Sequence, residues 1–498
     1  MTFAFCIAIY GISRISWDQT ALPKCQNKVN LKFESGSTVQ RKSNVTIFDN
    51  YLGARPHLNT VANLQLMLER CQDAVDGLGV DDVIKCLSFL QRGSDEYFIS
   101  PAAQHGGRDS EARSQKVSSA ENAFQERRSP QNLELVSRSS FDVCPGPKFL
   151  YHAYWRGPAS WRLELFVKAY LYTQNLACSR LWIWVESDID SNAVDRMLCE
   201  NVIFRRFMPL IQSGDIVVKA WHLPNRILLP SEANESPVSD AVLGEHNLSD
   251  HYVMHVPQDH LHNWLRLGYA SGRFAPVQVS DAVRFIVLHA YGGIYLDMDV
   301  MLLRDMRPLL LQPQPFAEQW VERGLISDYN TAVLSITANS SLSTYFLKGA
   351  VGMGMNFHPK AIGKMLEHDG RTEQLAKLHN AFFDPLVTNL RRKGTDNCTV
   401  PCHKNFQQVF KTQVEEPEKE WSAYYGINSE RTMNKFFRGA FAYHIHNQWQ
   451  KVPEPKSWMD VITTAHDGYF EGSRSNAYGE QWQGPRIEPY DRKDWPGF

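Results

Sequence analysis

The chain has 498 residues and a formal net charge of -2, so its overall charge gives no reason to expect a nucleic-acid partner. Hydrophobic residues make up 43% of it and aromatic residues 12%, which is enough for a large buried core. Nine cysteines are present without a C-x-x-C pair, which argues against a zinc ribbon and leaves disulfide bonds open.

The first 140 residues differ in composition from the rest. Residues 1–16 begin with an apolar stretch shorter than the ~20 residues of a membrane span, and they lack a clean signal-peptide pattern. A truncated anchor, an atypical signal peptide and a disordered start all stay open. Residues 17–100 predict a helical extension, which could be a stem, an oligomerisation element or a packed segment. Residues 101–140 are rich in Ser, Gln, Arg and Glu and predict a disordered linker.

Residues 141–465 predict the main α/β domain, and residues 466–498, which are aromatic and rich in Gly and Pro, predict a tail that wraps the surface. The domain begins with alternating apolar strands and helices, predicted at Lys148–Tyr154, Ser160–Tyr172, Leu181–Val185 and Asp215–Trp221. This alternation predicts a mostly parallel sheet with helices on both faces, and such sheets bind ligands beyond the carboxyl ends of their strands.

Aromatic and polar residues end the first of these strands. His152, Tyr154 and Trp155 are placed there to stack on a nucleotide base, although an aromatic cluster at the core edge is the alternative. Asp188 and Asp190 follow the second strand as a D-x-D pair. For these two aspartates, capping of the next helix is the alternative to metal binding.

The segment Ser280–Val300, SDAVRFIVLHAYGGIYLDMDV, concentrates the strongest signals. A helix is predicted at Asp259–Tyr269, and a second is predicted to start with Ser280 as N-cap. Gly292-Gly293 predicts a stop with φ > 0, and a short apolar strand then ends in Asp297 and Asp299. Burying two carboxylates in this way is costly unless a cation lies nearby.

The spacing of the two aspartates indicates a cation site. Residues i and i+2 of an extended chain point to the same side, about 6–7 Å apart. Carboxylate oxygens so placed can share Mg²⁺ or Mn²⁺ with a diphosphate. Asp281 and Arg284 lie one turn apart on a helix, so Arg284 either contacts the bound molecule or forms a structural ion pair with Asp281.

These motifs resemble those of glycosyltransferase family 32. The resemblance is dense over Ser280–Asp281–Ala282–Val283–Arg284, Tyr291–Gly292–Gly293–Ile294–Tyr295–Leu296 and Asp297–Met298–Asp299, and looser over residues 146–460. It implies a GT-A-type fold and transfer of a hexose, with retention of configuration, from a nucleotide-diphosphate sugar of the GDP-mannose or UDP-galactose type. The acceptor would be a hydroxyl of a glycan or glycolipid, and the cofactor Mn²⁺ or Mg²⁺.

The resemblance also implies roles for particular residues. Asp299 would bind the metal directly, and Asp297 would act through water or hold the ribose. Asp281, Arg284 and Tyr295 would lie at the donor, and Asp328 and Asn330 would face the sugar and acceptor, with a turn and a strand entry as the alternative for these last two. Near the end of the domain, His444, Asn447 and Trp449 look similar to an element of the family, so His444 is the third candidate metal ligand, while His446 is a weaker one.

The family resemblance further implies a membrane-bound Golgi protein with a lumenal domain. Sequons at five asparagines agree with a secretory route, namely Asn44, Asn234, Asn247, Asn339 and Asn397. Two other functions stay open on the sequence alone. One is a non-catalytic sugar-binding relative of the same fold, and the other is a metal-dependent phosphohydrolase, which would want a clustered His/Asp set early in the chain.

Overall fold

The protein is described by a computed structural model that covers most of the main domain. The described residues are 49–76, 80–100, 144, 146–230, 258–259, 262–267, 276–320, 328–385, 406–412, 439–446 and 451–489. The apolar start, the predicted linker, Asn447 and Trp449 lie outside these ranges. Among the described helices, none has the length and apolar character needed to cross a membrane.

The strands account for most of the framework. Over the described ranges they are β1 (Val61–Ala62), β2 (Phe98–Ile99), β3 (Phe149–Trp155), β4 (Ser179–Glu186), β5 (Ile216–Trp221), β6 (Arg226–Leu229), β7 (Gln258–Asp259), β8 (His262–Arg266), β9 (Gly293–Leu296), β10 (Val300–Leu302), β11 (Phe316–Gln319), β12 (Tyr329–Ile336), β13 (Ala376–Leu378) and β14 (Ala442–His444).

Helices cover this framework. Within the same ranges they are α1 (Leu64–Asp76), α2 (Val80–Arg92), α3 (Ser94–Tyr97), α4 (Trp161–Thr173), α5 (Ala193–Asp195), α6 (Val202–Arg205), α7 (Met208–Gln212), α8 (Pro276–Tyr291), α9 (Arg307–Leu311), α10 (Ser341–Gly352), α11 (Pro359–His368) and α12 (Trp458–Glu471). A π-helical turn spans Arg196–Glu200, and 3₁₀ turns span Thr372–Gln374, Asn380–Phe382 and Phe406–Phe410.

Seven strands form the central sheet, in the order β13, β11, β12, β9, β3, β4, β5. β5, β4, β3 and β9 are parallel neighbours, whereas β12 runs antiparallel to both β9 and β11. Side chains alternate across the sheet: on β4, Ile183 packs on the side of α4 and Trp184 on the side of α8. The predicted α/β class, with a mostly parallel sheet and helices on both faces, is confirmed.

The turn between α8 and β9 explains why two glycines precede the acidic pair. Gly292 and Gly293 have φ of 67° and 94°, as the sequence predicts for this turn. A Cβ on Gly293 would lie 2.2 Å from the carbonyl oxygen of Leu150 on β3. Only glycine lets β9 approach β3 this closely, so the turn fixes where β9 delivers its two aspartates.

Two predicted helical features are wrong. Helix α8 begins at Pro276, because proline is already fixed at a helical φ, so Ser280 lies inside the helix instead of capping it. The helix predicted at Asp259–Tyr269 is absent, since this region contributes strands β7 and β8. There β8 pairs with β6, with Ile227 opposite Leu265, and this tertiary pairing overrides local preference.

The described part of the N-terminal segment, from residue 49 onward, packs against the main domain. Arg55 binds Asp305 at 2.7 Å and Glu480 at 2.6 Å, and its Nη1 donates to the carbonyl of Thr173 at 2.6 Å. Disulfides join Cys71 to Cys86 and Cys144 to Cys178. At the other end, α12 continues to Glu471, so the predicted tail boundary at residue 466 falls inside a helix.

Candidate active site

One edge of the central sheet gathers most of the candidate residues. β3, β4 and β9 are parallel, so Trp155 and Glu186, the last residues of β3 and β4, lie at the same edge as Asp297, which follows β9. β12 runs the opposite way and β11 is antiparallel to it, so the start of β12 and the end of β11 reach this edge as well. Asp297 is tied to β12 by its backbone N–H, which donates to the carbonyl of Ala332 at 2.8 Å.

Arg284 is a buried cation that contacts two of the candidate acids at this edge. Its Nη2 lies 3.0 Å from Asp281 and 3.3 Å from Asp297, and its Nη1 donates to the hydroxyl of Thr331 at 2.6 Å. The guanidinium also lies 5.5 Å from the centroid of the Tyr295 ring. The ion pair of Arg284 with Asp281 is therefore present, and it extends to the first aspartate of the acidic motif.

Burial shifts the pKa values of these acids upward. Burial raises the pKa of Asp281 to about 6, although Arg284 acts in the opposite direction. Burial also raises the pKa of Asp297; Arg284 opposes this shift and Asp299 adds to it. The raised pKa values show that burial disfavours the charged carboxylates, so a nearby cation would stabilise them.

β14 brings His444 to the second aspartate. It pairs antiparallel with β10, with Val300 opposite His444, and the N–H of Ile445 donates to the carbonyl of Asp299 at 2.8 Å. The His444 Nε2 then lies 3.3 Å from Asp299 Oδ1. Burial alone would lower the pKa of His444, but Asp299 and Glu318 outweigh it and raise the pKa to about 10.

Glu318 is a site residue that the sequence analysis missed. It is 1% exposed at the end of β11, and among the described residues neither of its carboxylate oxygens has a hydrogen-bond partner. A register shift between Ala317 and Glu318 sets it opposite Asn330, and its Oε2 lies 3.9 Å from His444 Nδ1. Burial raises its pKa well above the ordinary value. In the sequence it is a single acid within the short strand Phe316–Gln319, so no motif distinguishes it as it does Asp297.

Asp384 and His446 are two further groups in this region. The carbonyl of Phe383 accepts a hydrogen bond from the N–H of His444 at 3.0 Å, which brings the neighbouring Asp384 to β14. His446 Nε2 is in close contact with Asp384 Oδ2, and the rings of His444 and His446 stack with centroids 4.0 Å apart. Donor atoms of Asp384, His444 and His446 all lie within 4.8 Å of one another.

Asp328 and Asn330, the two candidates near the start of β12, both make contacts with the protein backbone. Asp328 is buried, and its carbonyl accepts from the N–H of Trp320 at 2.9 Å. The side-chain oxygen of Asn330 accepts from the N–H of Ala332 at 3.0 Å, so this asparagine stabilises the strand entry while it faces Glu318 across the ladder.

The three aromatic candidates of β3 differ in accessibility. His152 is fully buried; its Nε2 lies 2.9 Å from the carbonyl of Gly292, and Trp184 donates to its Nδ1 at 3.2 Å. A base could stack on His152 only if this aromatic core opened, so we place no ligand role on it. The Tyr154 hydroxyl donates to Glu186, and the Trp155 indole N–H donates to the carbonyl of Gly157 at 2.9 Å.

The competing D-x-D pair is occupied by protein partners. Asp188 accepts from the N–H of Leu223 at 2.9 Å and lies 2.9 Å from His222 Nδ1. Asp190 is in close contact with Arg196 and accepts from the N–H of Asn192 at 3.1 Å. Neither aspartate caps α5 with its side chain, since Asn192 is the N-cap of that helix and no side-chain cap bond is formed there. Both are nevertheless held by protein partners, whereas Asp297 and Asp299 lie near buried acidic oxygens that lack hydrogen-bond partners among the described residues.

A cleft of about 610 Å³ opens beside Asp281. Its apolar part is formed by Met353, Met355, Phe357 and Met365 from the α10–α11 region, and Lys360 and Lys364 stand on its rim. It is the natural continuation of the site on the side away from β3, since Asp281 belongs to both.

Comparison with known proteins defines the class. Residues 231–316 match the family described as "Glycosyltransferase sugar-binding region containing DXD motif". This region is thus similar to the sugar-binding region of DXD-containing glycosyltransferases, and the match confirms the resemblance predicted from the motifs.

A curated relative matches over a short part of the chain. It is "Inositol phosphoceramide mannosyltransferase 3" of Schizosaccharomyces pombe, 30% identical over 82 residues, which cover 16% of this chain and 22% of that protein. This chain thus spans about a fifth of the length of that relative.

Solved structures give weaker matches. The PaToxG glycosyltransferase has 14% identity and a TM-score of 0.27, covering 45% of this chain and 70% of that one. The glycosyltransferase GlyE of Streptococcus pneumoniae has 10% identity and a TM-score of 0.29, covering 67% of this chain and 66% of that one.

Proposed function

We propose that this protein transfers a hexose from a nucleotide-diphosphate sugar to a hydroxyl of a glycan or glycolipid, with a divalent cation as cofactor and with retention of configuration. The observation that carries the proposal is the acidic pair Asp297 and Asp299, held by Arg284 and His444 at the ligand-binding edge of the sheet. The family match over residues that include this pair describes a sugar-binding region and so supports a sugar as the transferred group. GDP-mannose and UDP-galactose are the proposed types of donor.

The residues present fit a cation. Hard carboxylate oxygens and one imidazole nitrogen suit Mn²⁺ better than they suit Mg²⁺, which prefers oxygen ligands alone. Asp299 and His444 Nε2, at 3.3 Å, are close enough to ligate one ion together, with Asp297 on its other side. When bound, the ion would offset the charge that develops on the departing diphosphate.

Arg284 and Asp281 are the proposed donor contacts. Arg284 is held from two sides by acids, so its charge is fixed in place before a sugar diphosphate arrives. Tyr154 and Trp155 follow β3 at the same edge and are the proposed neighbours of the base. Glu318 and Asn330 lie on the other side of the acidic pair, where the sugar and the acceptor hydroxyl would meet, with Asp328 next to them.

The cleft beside Asp281 adjoins the proposed donor contacts. Its methionine and phenylalanine walls suit an apolar or stacked surface of the bound molecule, and methionine adapts to varied shapes. The two disulfides favour an oxidising compartment, which agrees with the expected Golgi or other secretory location and its lumenal domain.

A donor screen tests the function. The full chain is incubated with UDP- and GDP-sugars, with Mn²⁺ or with a chelator, and released nucleoside diphosphate is measured with and without simple glycan acceptors. We expect release from one donor, dependent on Mn²⁺, and a loss of at least about a hundredfold in Asp299→Asn.

The matched control is Asp188→Asn, which alters the other D-x-D pair and should keep full activity. Equal losses in both variants, or no release from any donor by the folded protein, would overturn the transferase and favour a sugar-binding relative without activity.

A further inference from the structure

The cluster formed by Asp384, His444 and His446 has the composition of a cation site. It offers two imidazole nitrogens and one carboxylate, and one donor atom from each lies within 4.8 Å of the other two. The backbone holds it in place from two sides. The N–H of His444 donates to the carbonyl of Phe383, next to Asp384, and the N–H of Ile445 donates to the carbonyl of Asp299.

One of these side chains is buried with an acceptor atom that lacks a partner. Asp384 is 1% exposed, and His444 beside it is 7% exposed. Within the described part of the chain, Asp384 Oδ1 has no hydrogen-bond partner. Leaving a buried acceptor without a partner costs about 1–3 kcal/mol, so such atoms point to a ligand that binds there.

His446 adds a second, independent observation. Its φ is 45°, a left-handed conformation that residues other than glycine rarely adopt, and such conformations concentrate at functional sites. This conformation stacks its ring on that of His444, with centroids 4.0 Å apart, while its Nε2 stays on Asp384.

We propose that Asp384, His444 and His446 bind a divalent cation of the type that accepts imidazole nitrogen. This inference deepens the proposed function, because His444 also lies 3.3 Å from Asp299 and so joins these ligands to the acidic pair. The set of two histidines and one carboxylate favours Mn²⁺, Fe²⁺, Co²⁺ or Zn²⁺ over Mg²⁺ and Ca²⁺, which prefer oxygen. The cation centre of this protein therefore takes part of its metal selectivity from Asp384 and His446.

Cation binding is measured without any sugar donor. The full chain is titrated with Mn²⁺ and followed by electron paramagnetic resonance, and pulsed measurements detect coupling of the bound ion to imidazole ¹⁴N. We expect ¹⁴N coupling in the native protein and an affinity at least about tenfold weaker in His446→Gln and Asp384→Asn. Competition with Mg²⁺ should displace Mn²⁺ poorly from the native protein and more easily from the two variants.

The control variant is His222→Gln, which breaks another histidine–aspartate pair, the contact of His222 with Asp188 at 2.9 Å. It should leave Mn²⁺ affinity unchanged. Unchanged affinity and ¹⁴N coupling in both His446→Gln and Asp384→Asn, with both proteins folded by circular dichroism, would show that these two residues form an ion pair only and would overturn the proposal. A native protein that binds Mn²⁺ as expected but releases no diphosphate would sink the transferase function and leave this inference standing.

Discussion

Two regions of this protein bury charged side chains, and they treat them in opposite ways. In the region around Arg55, each charge meets a partner: Arg55 bonds Asp305, Glu480 and the carbonyl of Thr173. Its neighbour Arg304 donates to the carbonyls of Leu90 and Gly439 at 3.1 and 2.8 Å. Around the acidic pair, by contrast, buried oxygens of Glu318 and Asp384 lack partners among the described residues.

The difference distinguishes charges that stabilise the fold from charges that are placed to bind a ligand. A buried charge whose partners are all present stabilises the elements that it joins, because removing one partner would leave the other charge buried and uncompensated. A buried carboxylate without partners lowers stability, and a fold keeps it only where something else compensates. The first region should therefore respond to substitution mainly through stability, and the second mainly through binding.

The largest effect is expected from Arg55→Met. This change leaves Asp305 buried without its cation and should lower the free energy of unfolding by about 3–5 kcal/mol, measured by urea denaturation. The control is Arg70→Met, since Arg70 and Glu96 are 3.8 Å apart and each is 59% exposed. That pair should contribute less than about 1 kcal/mol. Similar losses in the two variants would contradict the role given to the Arg55 contacts.

A second test uses pH and compares two buried histidines. Burial lowers the pKa of His466 to about 3, whereas the acids of the site raise that of His444 to about 10. His466 is thus neutral in the folded protein and titrates near 6.5 when unfolded, so its contribution is complete above 6.5 and is lost as pH falls toward its folded pKa.

Between pH 7.5 and 5, His466 should account for a loss of about 2 kcal/mol in the free energy of unfolding. The variant His466→Asn should show a correspondingly flatter pH dependence when unfolding is followed at both pH values. If the slope were the same in both proteins, the neutral burial of His466 would be disproved.

The smallest change in the free energy of unfolding is expected when the same substitution is made at two buried glutamates. Glu318→Gln removes a carboxyl whose pKa burial has raised, so without added metal it should increase the free energy of unfolding at pH 7.5 by about 1 kcal/mol. Glu164→Gln should do the opposite. Glu164 is bonded at 2.6 Å by both Lys168 and Arg206, and these cations outweigh burial and lower its pKa. Thermal unfolding of both variants measures the two changes in stability. A loss of stability in Glu318→Gln would show that the carboxylate of this glutamate stabilises the fold.

The sequence predicted the strands and the turn that position the site better than it predicted all the residues of the site. The apolar strands and the Gly292-Gly293 turn are local signals, so β9 and its two aspartates could be located from spacing alone. Glu318 and Asp384 could not, because each is a single acid in an ordinary sequence context and reaches the site only through the pairing of β11 with β12 and of β14 with β10. The strand β8 was missed for the same reason, since its partner β6 lies more than thirty residues earlier in the chain, in Arg226–Leu229.

The meeting of the two ends of the described chain has a practical consequence for protein engineering. The N–H of Asn50 donates to the carbonyl of Asn476 at 3.1 Å, Asp49 binds Arg474 at 3.0 Å, and Arg55 binds Glu480. A fragment that starts at the predicted domain boundary, residue 141, would discard half of each of these contacts and uncover the groups beneath them. Expression fragments should therefore begin before Asp49 and extend beyond Glu480, so that both partners of each contact are kept.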